Sequence, residues 1–284
     1  MIDQYYTAGH GLTYASSEGD YGWLNVFGLI DGQTSFSLSL TQILYAPKAK
    51  FDPLPPLDDH PYAGFLSLTF GIHHRSENVL ESLGLRMGAS GKIAYGQAAQ
   101  DRIHANLGVG LAQGWGTQIG NEMIVNAYYE LVYKHSLYKS AYFDVDILPS
   151  LEFALGNANI YAKFNAFLRS GYNLSSTFLS QGIIGENGGM QTGRVYADGV
   201  GFFVFFGLSG AYVARKMAIN GNLFGRDSYS RAVSLSHWIA NLETGLSFVS
   251  GALSLTYKVI YSSKEFAQQK GAHAVGSILL AYSF

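Results

Sequence analysis

The segment AVGSILLAYSF, residues 274–284, closes the chain and alternates in character from one residue to the next. Successive side chains of a β-strand point to opposite faces, so Ala274, Gly276, Ile278, Leu280, Tyr282 and Phe284 share one face. A last strand that stops on an aromatic residue is typical of outer-membrane β-barrels. A strand of a soluble sandwich also alternates, so the fold class depends on how often the pattern recurs.

The same alternation recurs in four further segments, at residues 36–44, 125–133, 160–168 and 253–261. One face of each segment is apolar, and the other carries serine, threonine, asparagine and several charged residues. A soluble barrel turns its apolar face inward, whereas a membrane barrel has lipid outside and a polar interior. The pattern therefore fits either kind of barrel, and composition has to decide between them.

Composition favours the membrane. The chain has 284 residues, 34 Gly, 20 Tyr, 18 Phe, no Cys and only 13% charged residues. No apolar run approaches the roughly 18 to 20 residues of a membrane-spanning helix, while many aromatic residues suit strands with aromatic girdles. A net charge of −2 without a basic cluster indicates no nucleic-acid partner. We predict one all-β domain over residues 1–284, a transmembrane antiparallel β-barrel in contact with the lipids of the bacterial outer membrane.

Reading along the chain predicts eleven strands, near residues 4–15, 34–46, 62–73, 79–89, 122–135, 140–154, 159–170, 201–215, 237–249, 252–262 and 273–284. Bacterial single-chain barrels have an even number of strands. We therefore expect a wall that lacks one strand at its N-terminal edge. With Phe284 in the periplasm, the long connections 47–61, 90–121 and 216–236 are extracellular, and the turns at 76–78, 136–139 and 249–251 are periplasmic. Residues 18–33 and 172–200 are long for periplasmic turns.

The extracellular segment 93–107 predicts a short helix, because its apolar residues recur at a spacing of four. Gln97, Gln100, Asp101 and His104 lie beside that apolar stripe. We expect the helix to lie against the barrel wall or over its mouth, with the polar side toward the lumen. The pattern alone leaves two interpretations of His104, a solvated loop histidine or a functional group.

Other polar clusters indicate structural roles. His73 and His74 are adjacent, so they point to opposite faces of a strand, which is poor metal geometry. Residues 58–60, Asp-Asp-His, are either a ligand set or a turn, and the turn is favoured. Charged residues on the polar faces predict ion pairs in the lumen, among them Asp144, Asp146, Glu130 and Lys163.

Six short motifs in order resemble the lipid A 3′-O-deacylase family of outer-membrane enzymes. They are YYTAG (5–9), LYAP (44–47), DHPYAG (59–64), QDRIH (100–104), GWGTQIGNE (114–122) and SSKEF (262–266). Each motif alone is weak, but their order and spacing extend over nearly the whole chain.

The resemblance implies a twelve-stranded, calcium-dependent esterase that removes the 3′-linked acyloxyacyl chain of lipid A or lipopolysaccharide in the outer leaflet. We expect the protein to be a monomer. The family's general base falls on His104, and its threonine near the metal and oxyanion falls on Thr7. Lys48 or Lys50 corresponds to a basic residue that meets substrate phosphate, and the motifs leave that choice open. No metal ligand can be assigned, since the family's Asn-Asp pair lies on a strand before this chain begins. Gly110 stands where some members carry an acidic residue.

The alternative function is a passive barrel, either a channel or a structural relative without esterase activity. A channel needs an open lumen with charged constriction residues. An esterase acting on lipid needs His104 packed toward a groove that opens to lipid. We therefore predict that the His104 imidazole faces the barrel wall near Thr7, the residue that shares the lumen side with Thr13 and opposes Tyr6.

Overall fold

The structure, a computed structural model, describes residues 5–174, 178, 199–224 and 231–282. Twelve strands form one antiparallel sheet. Their bounds are β1 Tyr5–Ala15, β2 Gln33–Ala46, β3 Ala63–Arg75, β4 Val79–Ser90, β5 Glu122–Tyr133, β6 His135–Lys139, β7 Asp144–Gly156, β8 Asn159–Tyr172, β9 Val200–Lys216, β10 Trp238–Ser250, β11 Leu253–Ser262 and β12 His273–Tyr282.

Helices are few and short. The α-helices are α1 Gly96–Leu107 and α2 Met217–Asn220, and 3-10 helices cover Gly22–Phe27, Lys92–Ala94 and Gly114–Thr117. None of the helices in the described ranges is long and apolar enough to cross a membrane. The helix predicted at 93–107 is confirmed as α1 and the short 3-10 turn before it.

The strands pair in chain order and form a nearly closed barrel. The hydrogen-bonded path runs β1-β2-β3-β4-β5-β7-β8-β9-β10-β11-β12, with β6 paired to β7 beside β5. Within the described residues β1 and β12 are not paired, so the expected open edge is present. The predicted turn at 136–139 is wrong: those residues lie in β6, and the chain reverses over 140–143, where the Ser140 amide donates to the Phe143 carbonyl at 3.1 Å.

The wall is polar inside and apolar outside, as a membrane barrel requires. Paired residues share a face, and the inward pairs include Ser39 with Thr69 and Thr41 with Ser67, all buried. Leu38, Leu40 and Leu68 point outward and are exposed. This arrangement confirms the membrane interpretation of the alternating segments.

Charged side chains meet in the lumen, although not in the combinations expected. Asp146 pairs with Arg169 at 2.5 Å, and Lys163 lies 3.7 Å from Glu152. Asp144 instead accepts the backbone amides of Ser140 and Leu174. Ion pairs therefore cross between neighbouring strands in the barrel interior.

Apolar side chains form a buried cluster toward each end of the lumen. We call the end of the barrel at which α1 lies the helix end, and the other the opposite end. A buried cluster that includes Phe167, Phe203 and Phe205 occupies the lumen toward the opposite end. Another, which includes Tyr6, Tyr45 and Phe65, lies toward the helix end. A cavity of about 110 Å³ remains in the lumen at the helix end, lined by Tyr45, Phe65, Arg86 and Lys163 among others.

Candidate functional site

Helix α1 lies on the outside of the barrel wall. Leu44 is fully buried although it points outward, because Trp115, Tyr62 and Ala112 cover it. The side-chain amide of the outward-facing Gln42 donates to the Ala94 carbonyl, just before α1, at 2.6 Å. The helix therefore covers the outward faces of β2 and β3 and lies on the lipid side of the wall. The expectation that its polar side faces the lumen is wrong.

Two glycines let the helix backbone approach the wall. A Cβ atom on Gly64 of β3 would lie 3.2 Å from the Gly96 Cα. A Cβ atom on Gly96 would lie 2.8 Å from the Trp115 ring and 3.1 Å from Leu44. No larger residue fits at Gly96 without displacing the helix, so this contact sets the distance between α1 and the sheet.

The polar stripe of α1 faces the wall. Gly96, Gln100 and His104, spaced four apart, are its buried residues. At the two ends of the apolar stripe Tyr95 and Leu107 are 69% and 66% exposed, while Ala99 and Ile103 between them are half-buried. This orientation is the reverse of a soluble helix and suits one whose surroundings are lipid.

His104 is buried and held in one tautomer. Its side chain is only 3% exposed, and Nδ1 lies 2.8 Å from the Gly110 carbonyl oxygen. A carbonyl can only accept a hydrogen bond, so Nδ1 carries the proton and Nε2 is the basic nitrogen. The backbone carbonyl of Gly110 thus orients the imidazole.

Gln100 lies one turn before His104 on the same face, and Trp115 orients it. The indole Nε1–H of Trp115 donates to Gln100 Oε1 at 2.6 Å. The remaining polar atom of the side chain, Gln100 Nε2, is buried and has no hydrogen-bond partner among the described residues. An oriented, desolvated donor beside a base can stabilise negative charge on a substrate oxygen. Gln100 was not predicted as a site residue, although its spacing of four from His104 could have indicated a role.

Thr7 lies at a β-bulge in β1. The pairing with β2 shifts register between Tyr6 and Ala8, so strict alternation fails there. Tyr6 pairs with Tyr45 and packs in the lumen cluster, and the expectation that it opposes Thr13 is wrong. Thr7 Oγ1 is buried and has no hydrogen-bond partner in the described part of the chain. The next residue, Ala8, packs against the cluster beneath α1, so Thr7 lies beside the covered region.

The structure distinguishes the two candidate lysines. Lys48 is exposed, whereas Lys50 is buried, with Nζ 5.4 Å from the Phe51 ring centroid. The Lys50 carbonyl accepts the Tyr62 hydroxyl at 2.6 Å and the Gln113 amide at 2.9 Å. These bonds tie Lys50 to the aromatic pair that covers Leu44 and place it at the rim of the candidate site.

Arg231 clamps the two loops beside the site. Its guanidinium donates to the carbonyls of Pro55 and Pro56 at 3.1 and 2.9 Å, and to Thr117 Oγ1 at 2.9 Å. Three connections at the helix end, those before β3, before β5 and before β10, are thereby joined. The Arg231 side chain therefore holds the rim of the site together through its two terminal nitrogens.

Residues 58–60 lie in a turn, the interpretation that the sequence favoured over a ligand set. The Asp59 carboxylate accepts the amides of Ala49 and His60 at 3.0 and 2.8 Å. His60 stacks on Tyr45 with ring centroids 5.3 Å apart, and burial lowers its pKa to about 3. His60 is thus a neutral packing residue.

His73 and His74 also have structural positions. His73 is held in the lumen between the hydroxyls of Ser37 and Ser82, at 2.8 and 2.9 Å. His74 points outward and contacts Thr34 Oγ1 at 3.0 Å. The two imidazoles lie on opposite faces of β3, as their adjacency predicts.

The described residues offer no acidic cluster of the kind that usually holds calcium. Calcium takes six to eight oxygen ligands, usually including several carboxylates. Among residues 5–174, 178, 199–224 and 231–282, no three His, Asp or Glu side chains converge in a group that could hold a metal. We therefore assign no step of the chemistry to the metal.

Comparison with known proteins identifies the family. The profile of the family described as outer membrane protein LpxR matches residues 1–284. No curated protein matches this chain in sequence. Among solved structures, LpxR from Salmonella typhimurium is similar, with a TM-score of 0.81 and 19% identity over 99% of this chain and 90% of that chain. At that identity the structural likeness shows the shared barrel fold. The family match over its whole length shows that this chain belongs to the LpxR family of outer-membrane proteins.

Proposed function

We propose that this protein is a lipid A deacylase, which hydrolyses the 3′-linked acyloxyacyl ester of lipid A in the outer leaflet of the outer membrane. The observation that carries the proposal is the position of His104. It is a buried imidazole with Nε2 as the basic nitrogen, on a helix that lies on the lipid side of the wall. A lipid ester reaches such a site by lateral diffusion in the membrane.

In this reaction His104 Nε2 takes a proton from a water molecule as the water oxygen attacks the ester carbonyl carbon. The carbonyl oxygen becomes an oxyanion, which Gln100 Nε2 and Thr7 Oγ1 are able to stabilise as donors, since both are buried and without partners among the described residues. When the carbon–oxygen bond breaks, the sugar alkoxide takes the proton from the His104 imidazolium. The products are the free acid and the 3′-hydroxyl, and His104 returns to its starting tautomer.

Lys50 is the lysine that we propose for the substrate phosphate. Its backbone is hydrogen-bonded to residues that border the site, whereas Lys48 lies on an exposed turn. A positive charge at the rim complements the phosphates of lipid A. All of these groups come from one chain, and we propose that the enzyme acts as a monomer.

The aromatic cluster in the lumen disfavours the alternative of a passive channel. Phenylalanines from β8 and β9 pack together in the lumen toward the opposite end, and charged side chains pair between neighbouring strands along its wall. A continuous aqueous path would need these groups to move apart. The catalytic proposal uses the outer face of the wall and is independent of the lumen.

Mass spectrometry of lipid A tests the proposal. Cells with hexa-acylated lipid A that express the wild type should lose the 3′ acyloxyacyl group, and cells that express His104→Ala should not. His10→Ala is the matched control, because His10 is also on the outward side of the wall but exposed. Both variants should keep the heat-modifiable mobility of a folded barrel. Unchanged acylation with the wild type would overturn the deacylase and favour the passive barrel.

A further inference from the structure

Residues 21–30, YGWLNVFGLI, carry no charge and lie between Asp20 and Asp31. They belong to the connection between β1 and β2, for which the sequence offered no explanation. The 3-10 helix Gly22–Phe27 within them contacts β3. We call residues 21–30 the collar.

The collar covers polar residues on the lipid-facing side of the wall. Thr34, His74 and Glu81 are paired across β2, β3 and β4 and share the outward face with the exposed Leu38 and Leu40. All three are nonetheless buried. Without the collar, the Glu81 carboxylate and the His74 imidazole would face lipid. Such exposure would destabilise the folded barrel by several kcal/mol.

Specific contacts hold the collar on these residues. The Leu29 amide donates to Glu81 Oε2 at 2.7 Å, while Tyr129 donates its hydroxyl to Glu81 Oε1 at 2.9 Å. A Cβ atom on Gly28 would lie 2.7 Å from the His74 ring, so only glycine allows this approach. The inner surface of the collar is therefore fitted to the polar patch beneath it.

The outer surface of the collar is apolar. Trp23, Val26 and Leu29 are 69%, 71% and 82% exposed, and Phe27 packs edge-on against Trp23 at 5.8 Å between ring centroids. Tyr21 packs edge-on against Phe36, which is in turn 6.3 Å from Phe70 on the lipid-facing wall. The exposed apolar surface of the collar thus continues the lipid-facing surface of the barrel.

We propose that the collar is embedded in the phospholipid leaflet around the opposite end of the barrel, at its interface with water. Tryptophan and tyrosine favour that depth, and the uncharged surface continuous with the wall fits phospholipid. The interval from Thr34 beneath the collar to Leu44 beneath α1 is ten residues, about 33 Å along a strand at ~3.3 Å per residue. At a tilt of about 45° this interval spans roughly 23 Å of membrane, close to the ~25 Å apolar band of such barrels.

The collar and α1 therefore lie on the same strands, one at each edge of the lipid-facing band. The collar holds one edge at the inner-leaflet interface, and this holds α1 and His104 at the outer-leaflet interface. The proposal concerns the position of the barrel in the membrane and does not depend on hydrolytic activity.

Site-directed spin labelling tests the depth of the collar, because the chain has no cysteine. The full chain carrying Val26→Cys would be labelled with a nitroxide and reconstituted in phosphatidylcholine vesicles. Leu40→Cys, on the lipid-facing wall, is the lipid control, and Asp58→Cys, on an exposed turn, is the water control. We expect the Val26 label to be more accessible to oxygen than to a soluble nickel complex, as at Leu40.

Two results would overturn the proposal. Nickel accessibility like that at Asp58 would place the collar in water. Inaccessibility to both reagents with spin–spin broadening would show that a second copy of the chain covers it. If Val26→Cys does not fold, brominated phosphatidylcholine replaces the label: the wild type should be quenched more strongly than Trp23→Phe, and equal quenching would also overturn the proposal.

Discussion

Gly64 in β3 and Gly96 in α1 meet backbone to backbone, so that a Cβ atom on Gly64 would lie only 3.2 Å from the Gly96 Cα. This contact sets how deeply the helix sits on the wall. Gln100 and His104 follow Gly96 at intervals of one turn on the same face. The glycine pair therefore sets the distance between the proposed base and the sheet that carries Thr7.

Replacing Gly96 with leucine should lower deacylation by at least about tenfold, since displacements near 1 Å can cost roughly a hundredfold in rate. The leucine would overlap Trp115 and Leu44 and push α1 outward. Gly116→Leu is the control, because a Cβ atom there meets no atom within 4 Å. Mass spectrometry of lipid A measures the activity, and heat-modifiable mobility shows that the barrel folds. Full activity of Gly96→Leu would contradict the role of the glycine contact.

Trp115→Phe should lower kcat about 5- to 150-fold, the factor that corresponds to loss of a buried hydrogen bond of about 1–3 kcal/mol. The phenyl ring still covers Leu44 but has no N–H to donate to Gln100 Oε1. The amide is then free to rotate away from the substrate oxygen. Trp238→Phe, at an exposed position in β10, should leave kcat unchanged. Assays on detergent-solubilised lipid A would measure both, and equal rates would show that Trp115 only packs.

The strands could be predicted from sequence because alternation with a period of two directly reflects which face meets lipid. All eleven predicted strands are present on the barrel path. Alternation fails at Thr7, where a bulge inserts one residue and returns Tyr6 to the lumen. A bulge depends on backbone pairing and leaves no mark in the polarity pattern.

It was harder to predict which side of α1 and of the collar faces the wall, and the reason is the same for both. Both segments lie on the outside of the wall, where the apolar side turns to lipid and the polar side turns to the protein. Rules from soluble proteins assign the opposite orientation to the stripe of Tyr95 and Leu107. Glu81 and His74 are likewise polar residues on a lipid-facing surface, and only the three-dimensional contact with Gly28 and Leu29 explains them.

His60 should make the folded barrel less stable in acid. Its pKa is about 3 in the folded state because of burial, against about 6.5 when the chain is unfolded. Between those values the unfolded state binds a proton that the folded state does not. The contribution of neutral His60 to the free energy of unfolding is therefore complete above pH 6.5. It falls by about 1.4 kcal/mol per pH unit as the pH decreases toward 3.

Urea unfolding in detergent, followed by tryptophan fluorescence at pH 4.5 and 7.5, measures this contribution. His60→Asn should be less stable at pH 7.5 through lost stacking, but its midpoint should change less between the two pH values than that of the wild type. His10→Asn should keep the wild-type dependence, since His10 is exposed. Identical pH dependence in His60→Asn and the wild type would mean that other groups cause the acid sensitivity.

Lys50→Met should raise KM for lipid A that carries phosphate, by roughly tenfold for one lost charge-assisted contact of about 1.5 kcal/mol. Methionine keeps an apolar stem against Phe51 without the ammonium group. Lys48→Met should have little effect, because Lys48 is exposed. Dephosphorylated lipid A is the matched substrate, on which the wild type and Lys50→Met should have the same KM. A larger effect of Lys48→Met would reverse the assignment of the phosphate contact.

Chelation of calcium should abolish deacylation, and calcium should restore it only at concentrations on the order of 0.1–1 mM, the range of sites with few charged ligands. The family resemblance predicts the metal, whereas the described residues supply no group of three acidic or histidine side chains to hold it. A neutral or weakly charged ligand set binds calcium weakly. Activity would be measured on detergent-solubilised lipid A across a calcium titration, with magnesium as the control cation. Restoration at micromolar calcium would indicate a carboxylate-rich site, and full activity in excess chelator would show that His104 and its neighbouring donors act without a metal.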